Sequence, residues 1–360
     1  MKWDVAIVGA GMAGASLAAH VAPHASVLLI EAESQPGYHS TGRSAAFWSE
    51  TYGGPYVQPL TTASAAFLTE HGFMRPRGCV HLADGDGRAA LDALAAEFAG
   101  SDIRLARVDR ATLEGVVPGL RRGWDQALSE PSCADIDVAG LHAFYLKAAR
   151  TAGARLVTEA RLVEAERSGS GWRLSTSAGQ FEAEVLVNAA GAWADEVARA
   201  AGARPLGIRP YRRTMVQLRV DPPAAPDLPL VIDALGRFYF KPEAGGRIWL
   251  SPHDETACEP CDSAPEEEDV ARSIHWLEQV VSWRVIRVEH RWAGLRSFAP
   301  DRLPVYGFAP ERPSFFWCAG QGGFGIQTAP AAAALAAALL LGRVPATIDP
   351  GPYSAGRLEG

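Results

Sequence analysis

Val5-Ala6-Ile7-Val8-Gly9-Ala10-Gly11-Met12-Ala13-Gly14 is the stretch that decides the fold of this chain. The four apolar residues are typical of a buried parallel strand. The glycines have G-x-G-x-x-G spacing, in which the first permits a tight turn, the second admits a pyrophosphate, and the third lets strand and helix pack closely. The helix start offers free N–H groups to an anion. The stretch therefore predicts a dinucleotide site.

The residues that follow complete a βαβ unit. The Ala-rich stretch Ala13–Val21 predicts a helix, and Val27–Ile30 predicts a second buried strand that ends at Glu31. Glu31 follows Gly14 by 17 residues, a distance at which a carboxylate can bond a ribose hydroxyl. A glutamate there disfavours a 2′-phosphate, which favours NAD or FAD over NADP. The alternative is a glycine-rich turn with a surface glutamate.

The same strand-to-glycine pattern returns later in the chain, at 185–191 and at 315–325, and a helix is predicted over 331–341. Between these segments, 213–220, 231–241 and 247–250 alternate in polarity and predict an antiparallel sheet. We therefore predict an α/β fold, with a Rossmann-type domain and a second α+β domain built on a mostly antiparallel sheet. The predicted nucleotide-binding domain is discontinuous (1–50, 136–205 and 292–360), and 51–135 with 206–291 form the predicted substrate domain.

Composition narrows the class of protein. The 360 residues are 48% hydrophobic with a net charge of −7, so disorder and nucleic-acid binding are not expected. Five cysteines are too few, and odd in number, for a disulfide scaffold, which favours a reducing compartment. The longest apolar run, Ala331–Leu341, is too short to span a membrane. Asp4 interrupts the apolar N-terminus, so no signal peptide is expected and a cytoplasmic location is predicted.

Four separated motifs carry a family resemblance. They are Gln35–Ala46, Val187–Asp195, Trp292–Phe298 and Gln321–Thr328. In this order they resemble the FAD-dependent D-amino-acid oxidase superfamily, and within it the bacterial FAD-dependent D-arginine dehydrogenases. The likeness covers nearly the whole chain and is weakest in 84–130 and after 340. It implies non-covalently bound FAD.

The resemblance and the glycine turn together predict the cofactor-binding residues. Ser40–Ala46 would line the pyrophosphate and isoalloxazine, Leu162 would contact adenine, and Gly322–Thr328 would follow the pyrimidine edge of the flavin. The helix that starts after this last loop would stabilise an anionic reduced flavin; close backbone packing would select the same glycines. The full predicted set is Gly9, Gly11, Met12, Ala13, Gly14, Glu31, Ala32, Ser40, Thr41, Gly42, Arg43, Ser44, Ala45, Ala46, Leu162, Ala189, Gly191, Gly294, Gly322, Gly323, Phe324, Gly325, Ile326, Gln327 and Thr328.

An amino-acid substrate needs a donor for its carboxylate, and arginine fits a carboxylate in bidentate fashion. The resemblance places this role on Arg213 and Arg296. It also implies that Tyr239 bonds the substrate, that Tyr52 is a lid residue and that Gln327 makes a carbonyl-side contact. Core packing is the alternative for both tyrosines.

The predicted side-chain pocket departs from the D-arginine enzymes. Its residues are Phe47, Trp48, Glu50, Gly78, Leu230 and Ile232. Gly78 stands where the family has a glutamate for the substrate guanidinium, and Phe47 replaces a histidine next to the flavin. Losing the anion and adding an aromatic ring favours apolar D-amino acids over D-arginine. Glu50 and Asp233 keep a cationic substrate open.

We therefore expect oxidative deamination of a D-amino acid by hydride transfer from Cα to flavin N5. The imino acid would hydrolyse to a 2-oxo acid and ammonia, and the sequence leaves the electron acceptor open. One alternative is an oxygen-using oxidase of glycine, sarcosine or another N-alkyl amino acid. Others are a plain NAD enzyme and a non-catalytic flavoprotein or RNA-modification partner.

Cys258-Glu259-Pro260-Cys261 has C-x-x-C spacing but lacks the four ligands of a zinc site, and no metal is predicted. A redox disulfide stays open beside the interpretation as spectator thiols.

Overall fold

The computed structural model of the protein describes residues 2–358, and these residues form three β-sheets with helices packed against them. The helices are α1 Met12–Val21, α2 Gln58–Glu70, α3 Arg88–Glu97, α4 Arg110–Val116, α5 Val138–Thr151, α6 Ala194–Ala200, α7 Glu267–Val280 and α8 Ala329–Leu340. The strands are β1 Lys2–Val8, β2 Val27–Ile30, β3 Phe47–Trp48, β4 Met74–Pro76, β5 Cys79–Ala83, β6 Ala106–Val108, β7 Gln126–Glu130, β8 Ala134–Ile136, β9 Arg155–Val157, β10 Leu162–Ser168, β11 Gly171–Thr176, β12 Gly179–Asn188, β13 Arg209–Asp221, β14 Leu230–Asp233, β15 Tyr239–Glu243, β16 Arg247–Ser251, β17 Thr256–Ala257, β18 Arg284–Phe298, β19 Val305–Ala309, β20 Arg312–Ala319 and β21 Gln321–Gly322.

The first sheet has a parallel centre in the order β9-β2-β1-β12-β20. Strands β10 and β11 add to the first half of β12, and β19 pairs antiparallel with β20. The side chains of Ile7 and Leu29 are buried under Leu17 of α1 and Leu335 of α8. Both faces of the parallel strands are covered, which is why their sequences are almost wholly apolar.

The second sheet runs β21-β18-β13-β16-β15-β14-β5-β7-β6, and β17 also pairs with β13. Its pairs are antiparallel except β5 with β14. Helix α7 packs on it through Val270 and Leu277. The predicted α/β fold with a mostly antiparallel second sheet is confirmed. The domain boundaries given above stay a prediction.

The segment 231–241, predicted to belong to the antiparallel sheet, contains a tight turn. It forms two antiparallel strands of that sheet, β14 and β15. Gly236, at φ +71°, makes the turn between them, and its N–H donates to the carbonyl of Asp233. Glycine adopts this conformation without steric cost, so the chain can reverse within an apolar run.

The third sheet, β3-β8-β4, carries Phe47 and Trp48 on its first strand. Phe47 packs with Leu230 and Tyr239 of the second sheet, and Trp48 packs with Met12 of α1, so β3 lies between the second sheet and the helix that follows the glycine turn. None of the helices within residues 2–358 combines the length and the apolar character needed to cross a membrane.

Candidate active site

A cleft of about 360 Å³ opens at the carboxyl ends of β1, β2 and β12. Ligands of open α/β sheets bind at this edge. Many of the predicted cofactor residues line it: Gly9, Gly11, Met12, Ala13, Glu31, Ala32, Ser40, Thr41, Ser44, Leu162, Ala189, Gly191, Gly322, Gly323, Gly325 and Ile326. Tertiary folding has brought these separated segments together around one cavity.

The glycine turn is closely packed at its base. Gly9 has φ +100°, and a Cβ there would overlap the carbonyl oxygen of Ala189 and lie 2.9 Å from its carbonyl carbon. A Cβ on Gly14 would overlap the carbonyl oxygen of Gly9. Gly14 does not line the cleft but lets α1 approach β1. The Oγ1 of Thr41 accepts the N–H of Met12 at 2.9 Å and joins the Ser40–Ala46 segment to the turn.

Two side chains at the cleft wall show that it suits a dinucleotide. The Glu31 carboxylate accepts the N–H of Ala10 at 2.8 Å and that of Glu33 at 3.0 Å, which fixes it at the end of β2. His39 binds Glu33 through Nε2 at 3.0 Å, but its buried Nδ1 has no hydrogen-bond partner. A buried polar atom normally has a partner, so a polar ligand in the cleft would satisfy it. The residues present fit FAD.

The remaining predicted cofactor residues lie behind the cleft: Gly14, Gly42, Arg43, Ala45, Ala46, Gly294, Phe324, Gln327 and Thr328. Arg43 points away from it, donating to the carbonyls of Ser263 at 2.9 Å and Ala293 at 3.2 Å. The hydroxyl of Thr328 donates to the carbonyl of Phe324 at 2.9 Å. These residues hold the lining segments in place. The sequence reasoning did not select Trp193 or Gln321, which do line the cleft, although both lie in the resembling motifs.

The two predicted carboxylate-binding arginines differ in their partners. Arg213 is 1% exposed, and its Nε donates to the carbonyl of Asp254 at 2.7 Å. Its Nη2 binds Glu255 at 3.0 Å, and the Nη2 of Arg302 binds both oxygens of the same carboxylate at 3.0 and 2.9 Å. Arg296 is 8% exposed and lines the cleft. Within residues 2–358 its side chain has no hydrogen bond and no ion pair, so it is a buried cation in need of an anion.

Apolar side chains surround this part of the cleft. Phe47, Leu230, Ile232 and Tyr239 belong to one cluster with Met215. The ring of Phe47 lies 5.8 Å from that of Tyr239. The hydroxyl of Tyr239 donates to the Met215 sulfur at 3.0 Å, a weak acceptor that leaves the hydroxyl available to a better one.

Tyr52 lies at the junction of the apolar cluster and the cleft. Its ring is 5.3 Å from that of Phe47 and 5.2 Å from that of Phe324. Gly323, which lines the cleft, sits directly against the Tyr52 hydroxyl, so a side chain at Gly323 would collide with it. Tyr52 is therefore placed where a lid residue is predicted.

Two predicted site residues have other contacts. Trp48 is buried with Met12 and Leu68, and its Nε1 donates to the carbonyl of Thr61 at 3.1 Å. Neighbouring residues of a strand face opposite sides, so Trp48 points away from the pocket that Phe47 faces. Gln327 is 2% exposed: its Oε1 accepts the N–H of Ser49 at 3.2 Å, and its Nε2 donates to the carbonyl of Tyr52 at 3.1 Å. It braces the segment that carries Tyr52.

The acidic residues proposed for a cationic substrate are already paired. Asp233 accepts Nε and Nη2 of Arg237 at 2.7 and 2.8 Å. Glu50 accepts hydroxyl hydrogen bonds from Thr62 at 2.6 Å and Ser132 at 3.0 Å. Gly78 has φ +73°, and the next residue, Cys79, presents the side chain that packs with Tyr239. The Asp233 carboxylate thus has a cationic partner, whereas the partners of the Glu50 carboxylate are the hydroxyls of Thr62 and Ser132.

A buried carboxylate behind the pocket was not anticipated from the sequence. Glu130 is fully buried and accepts hydrogen bonds from Ser49 Oγ, Glu50 N–H, Thr51 Oγ1 and His81 Nε2 at 2.7–3.0 Å. Burial raises its pKa, but the hydrogen bonds and the charge of His81 outweigh burial, and the pKa lies below its usual value. The carboxylate therefore anchors the 49–52 segment between Phe47 and Tyr52. The ligand atoms of Cys79, His81 and Glu130 lie within 4.8 Å of one another, as in a metal site. The Glu130 carboxylate, however, is already surrounded by the four hydrogen-bond donors named above.

His253 is a second residue that the sequence did not single out. Its ring meets that of Tyr239 edge-on at 5.6 Å, and its Nδ1 lies 3.0 Å from the carbonyl of Gly236. Burial, followed by the positive charges of Arg213, Arg296 and Arg302, lowers its pKa to about 3. Burial therefore contributes most to keeping the imidazole neutral, and the positive charges of the arginines add to it.

This low pKa predicts acid sensitivity. His253 binds a proton below about pH 6.5 in the unfolded chain but only near pH 3 in the folded one, so its contribution is complete above pH 6.5 and falls with pH. Between pH 7 and 5 we expect a loss of about 2 kcal/mol of unfolding free energy from this residue. Urea titrations at both pH values should show a smaller loss in His253→Asn, since asparagine tolerates the local φ of +53°. Equal losses in both proteins would contradict the assignment.

Comparisons with known proteins agree with this geometry. The model of the DAO family, FAD dependent oxidoreductase, matches residues 4–339. A glycine oxidase of Pseudomonas aeruginosa is 31% identical over 67% of this chain, and one of Geobacillus kaustophilus is 28% identical over 63%. The aligned parts span 65% and 59% of those relatives, less than two thirds of their length. Neither is a D-arginine dehydrogenase.

Solved structures share the fold over nearly the whole chain. The glycine oxidase of Geobacillus kaustophilus superimposes with a TM-score of 0.86 at 24% identity, and each chain is 99% covered. An FAD-bound L-alpha-glycerophosphate oxidase from Mycoplasma pneumoniae has a TM-score of 0.85 at 17% identity, with 98% of each chain covered. The sequence motifs, the cleft and the family match agree, and the chain belongs to the DAO family of FAD-dependent oxidoreductases.

Proposed function

We propose that this enzyme oxidises the Cα–N bond of an amino acid and that D-amino acids with apolar side chains are its preferred substrates. The main support for this proposal is that Arg296, at the edge of the cofactor cleft, is a buried cation without a partner among the described residues. An α-carboxylate supplies the missing anion. FAD, bound non-covalently, supplies the two-electron oxidant.

The surrounding residues would orient the substrate. Arg296 would hold the carboxylate, and the Tyr239 hydroxyl would exchange its weak Met215 contact for a carboxylate oxygen. Fixing one end of the molecule in this way turns the Cα–H toward the cofactor. The side chain would then lie against Phe47, Leu230 and Ile232.

The positive charges of the site would also favour loss of a proton from the substrate ammonium group. Amino-acid oxidation requires a neutral amine, and nearby cations lower the pKa of an ammonium group. Arg213, Arg296 and Arg302 already act on His253 in this way. The substrate nitrogen would therefore lose its proton to water as it binds.

The side-chain preference rests on the apolar cluster of Phe47, Leu230 and Ile232 and on Asp233, whose carboxylate is already paired with Arg237. D-Arginine would leave its guanidinium against the apolar cluster, which is costly. A second candidate is oxidation of glycine, sarcosine or another N-alkyl amino acid with oxygen, which the glycine oxidase relatives favour. A small substrate would fill less of the aromatic pocket.

The test is anaerobic mixing of the purified holoprotein with D-leucine, D-phenylalanine, D-arginine, D-lysine, their L-forms, glycine and sarcosine, while flavin absorbance is followed. Fastest bleaching by D-leucine or D-phenylalanine would support the proposal. Fastest bleaching by glycine or sarcosine would favour the second candidate, and fastest bleaching by D-arginine or D-lysine would contradict the apolar preference. Readmitting air to the reduced protein then distinguishes an oxidase from a dehydrogenase.

Glu255 provides a separate prediction, because its carboxylate occupies Arg213. Glu255→Gln should tighten substrate binding about fivefold, since removing a nearby anion lessens repulsion of the substrate carboxylate by about 1 kcal/mol. The Kd from anaerobic titration measures this, with the exposed Glu259→Gln as control. Weaker binding would mean that Glu255 chiefly holds Arg213 in position.

A further inference from the structure

The C-x-x-C pair, Cys258 and Cys261, lies on a segment that is hydrogen-bonded to the predicted flavin-binding residues. Cys258 is half-buried and Cys261 exposed, whereas Cys79, Cys133 and Cys318 are buried. The two thiols stand three residues apart on one short loop segment, and Cys261 is close enough to Cys258 to influence its ionisation. Two cysteines at this spacing on a loop can be joined by a disulfide once their Cβ atoms approach to about 4 Å.

The segment is anchored at both ends, and we call residues 258–263 the strap. At its start, the N–H of Cys258 donates to the carbonyl of Pro210 on β13 at 3.1 Å. At its end, Asp262 pairs with Arg43 and accepts the Tyr38 hydroxyl at 3.1 Å. The Ser263 carbonyl accepts the Arg43 guanidinium at 2.9 Å.

These end contacts reach the cofactor cleft directly. Tyr38 lines the cleft, and Arg43 belongs to the Ser40–Ala46 segment, whose residues Ser40, Thr41 and Ser44 also line it. The strap therefore closes over the outer side of the segment that faces the cofactor. Anything that restricts the strap also restricts this segment.

We propose that Cys258 and Cys261 form a reversible disulfide that tightens the strap over the cofactor-binding segment and slows loss of FAD. The oxidant is a small-molecule disulfide such as oxidised glutathione. The exposed Cys261 thiolate displaces one glutathione thiolate and forms a mixed disulfide. The Cys258 thiolate then attacks the Cys261 sulfur and releases the second glutathione. Both protein thiols lose a proton to solvent, and one glutathione disulfide is reduced to two glutathiones.

Burial, followed by the neighbouring Cys261, raises the pKa of the Cys258 thiol. The more exposed Cys261 sulfur should therefore be the one that attacks the glutathione disulfide first. The pair formed by Cys79 and Cys133 offers an internal control, because those thiols also influence each other's ionisation but are buried. Access rather than proximity should decide which pair oxidises.

Peptide mass spectrometry tests disulfide formation. The holoprotein is treated with oxidised glutathione, alkylated while unfolded without reductant, and digested with trypsin. Cleavage after Arg247 and Arg272 yields one peptide that holds Cys258 and Cys261 and no other cysteine. We expect this peptide unalkylated and two hydrogen atoms lighter, with Cys79 and Cys133 alkylated. Full alkylation of the peptide, or a stable glutathione adduct on it, would overturn the proposal.

The second readout is the rate at which FAD leaves the diluted protein, followed by flavin fluorescence. Oxidation should slow this rate at least twofold in the natural protein and leave it unchanged in Cys261→Ser. In Asp262→Asn, which weakens the link to Arg43, the disulfide should still form but slow FAD loss less. Equal rates for the oxidised and reduced natural protein would overturn the link to the cofactor segment.

Discussion

Replacing Arg296 with leucine should lower kcat/KM for the best amino acid about 1,000-fold, which corresponds to about 4 kcal/mol. The proposed carboxylate would lose a charged, partly desolvated partner and face an apolar side chain. The same substitution should leave the unfolding free energy of the apoprotein unchanged or raised, because it removes a buried charge that has no protein partner. Steady-state kinetics and urea unfolding of the FAD-free protein measure the two effects.

Arg212 is the matched control, since it lies on the neighbouring strand β13 and pairs with Asp269 at 2.9 Å and with Glu266. Arg212→Leu should destabilise the protein because it removes the nearer of the two ion-pair partners of the buried Asp269, which then keeps only Arg272 at 3.4 Å. Arg296→Lys should restore part of the activity but not the bidentate geometry. Loss of stability in Arg296→Leu with unchanged kcat/KM would show that Arg296 is structural and would overturn the carboxylate assignment.

Gly9→Ala should remove FAD from the purified protein and lower the unfolding free energy by about 4 kcal/mol. Part of this cost is conformational, because Gly9 has φ +100°. The rest is steric, because the new Cβ would overlap the carbonyl oxygen of Ala189 and push β1 and β12 apart at the cleft. Flavin absorbance relative to protein absorbance and urea unfolding measure both results.

Gly153→Ala separates the two costs. Gly153 has φ +96°, close to that of Gly9, but a Cβ there would meet no atom within 4 Å. We expect it to retain FAD and to lose only about 1–2 kcal/mol. If both variants lose the same stability and keep FAD, the close approach at Gly9 does not matter for the fold or for the cofactor.

Much of the nucleotide-binding half was predictable because its signals are local. A four-residue apolar strand, glycines at fixed spacing and a carboxylate at the next strand end each reflect contacts within one βαβ unit. The predicted strand Val27–Ile30 and the observed β2 coincide. The predicted helix over 331–341 became α8, Ala329–Leu340, for the same reason.

The substrate side was predictable only in part. The resemblance selected Arg213 and Arg296, but nothing local distinguishes a paired arginine from an unpaired one. Glu255 contacts Arg213 although the two residues are 42 positions apart in the chain, and no sequence pattern around either residue indicates this contact. Trp48 is a residue that the sequence wrongly placed in the pocket. Its aromatic side chain suited an apolar pocket, but on the two-residue strand β3 it faces the opposite side from Phe47 and is buried in the core.

The sequence by itself determined the α/β class, the cofactor turn and the segments that line the cleft, because these depend on backbone geometry and on burial repeated over short distances. Only the tertiary structure decided which charges remain unmatched. It left Arg296 without a partner among residues 2–358, paired Asp233 with Arg237, and set Glu130 among four hydrogen-bond donors. Charge pairing depends on side chains from distant segments meeting within a few ångströms, and that distance is fixed only when the two sheets pack.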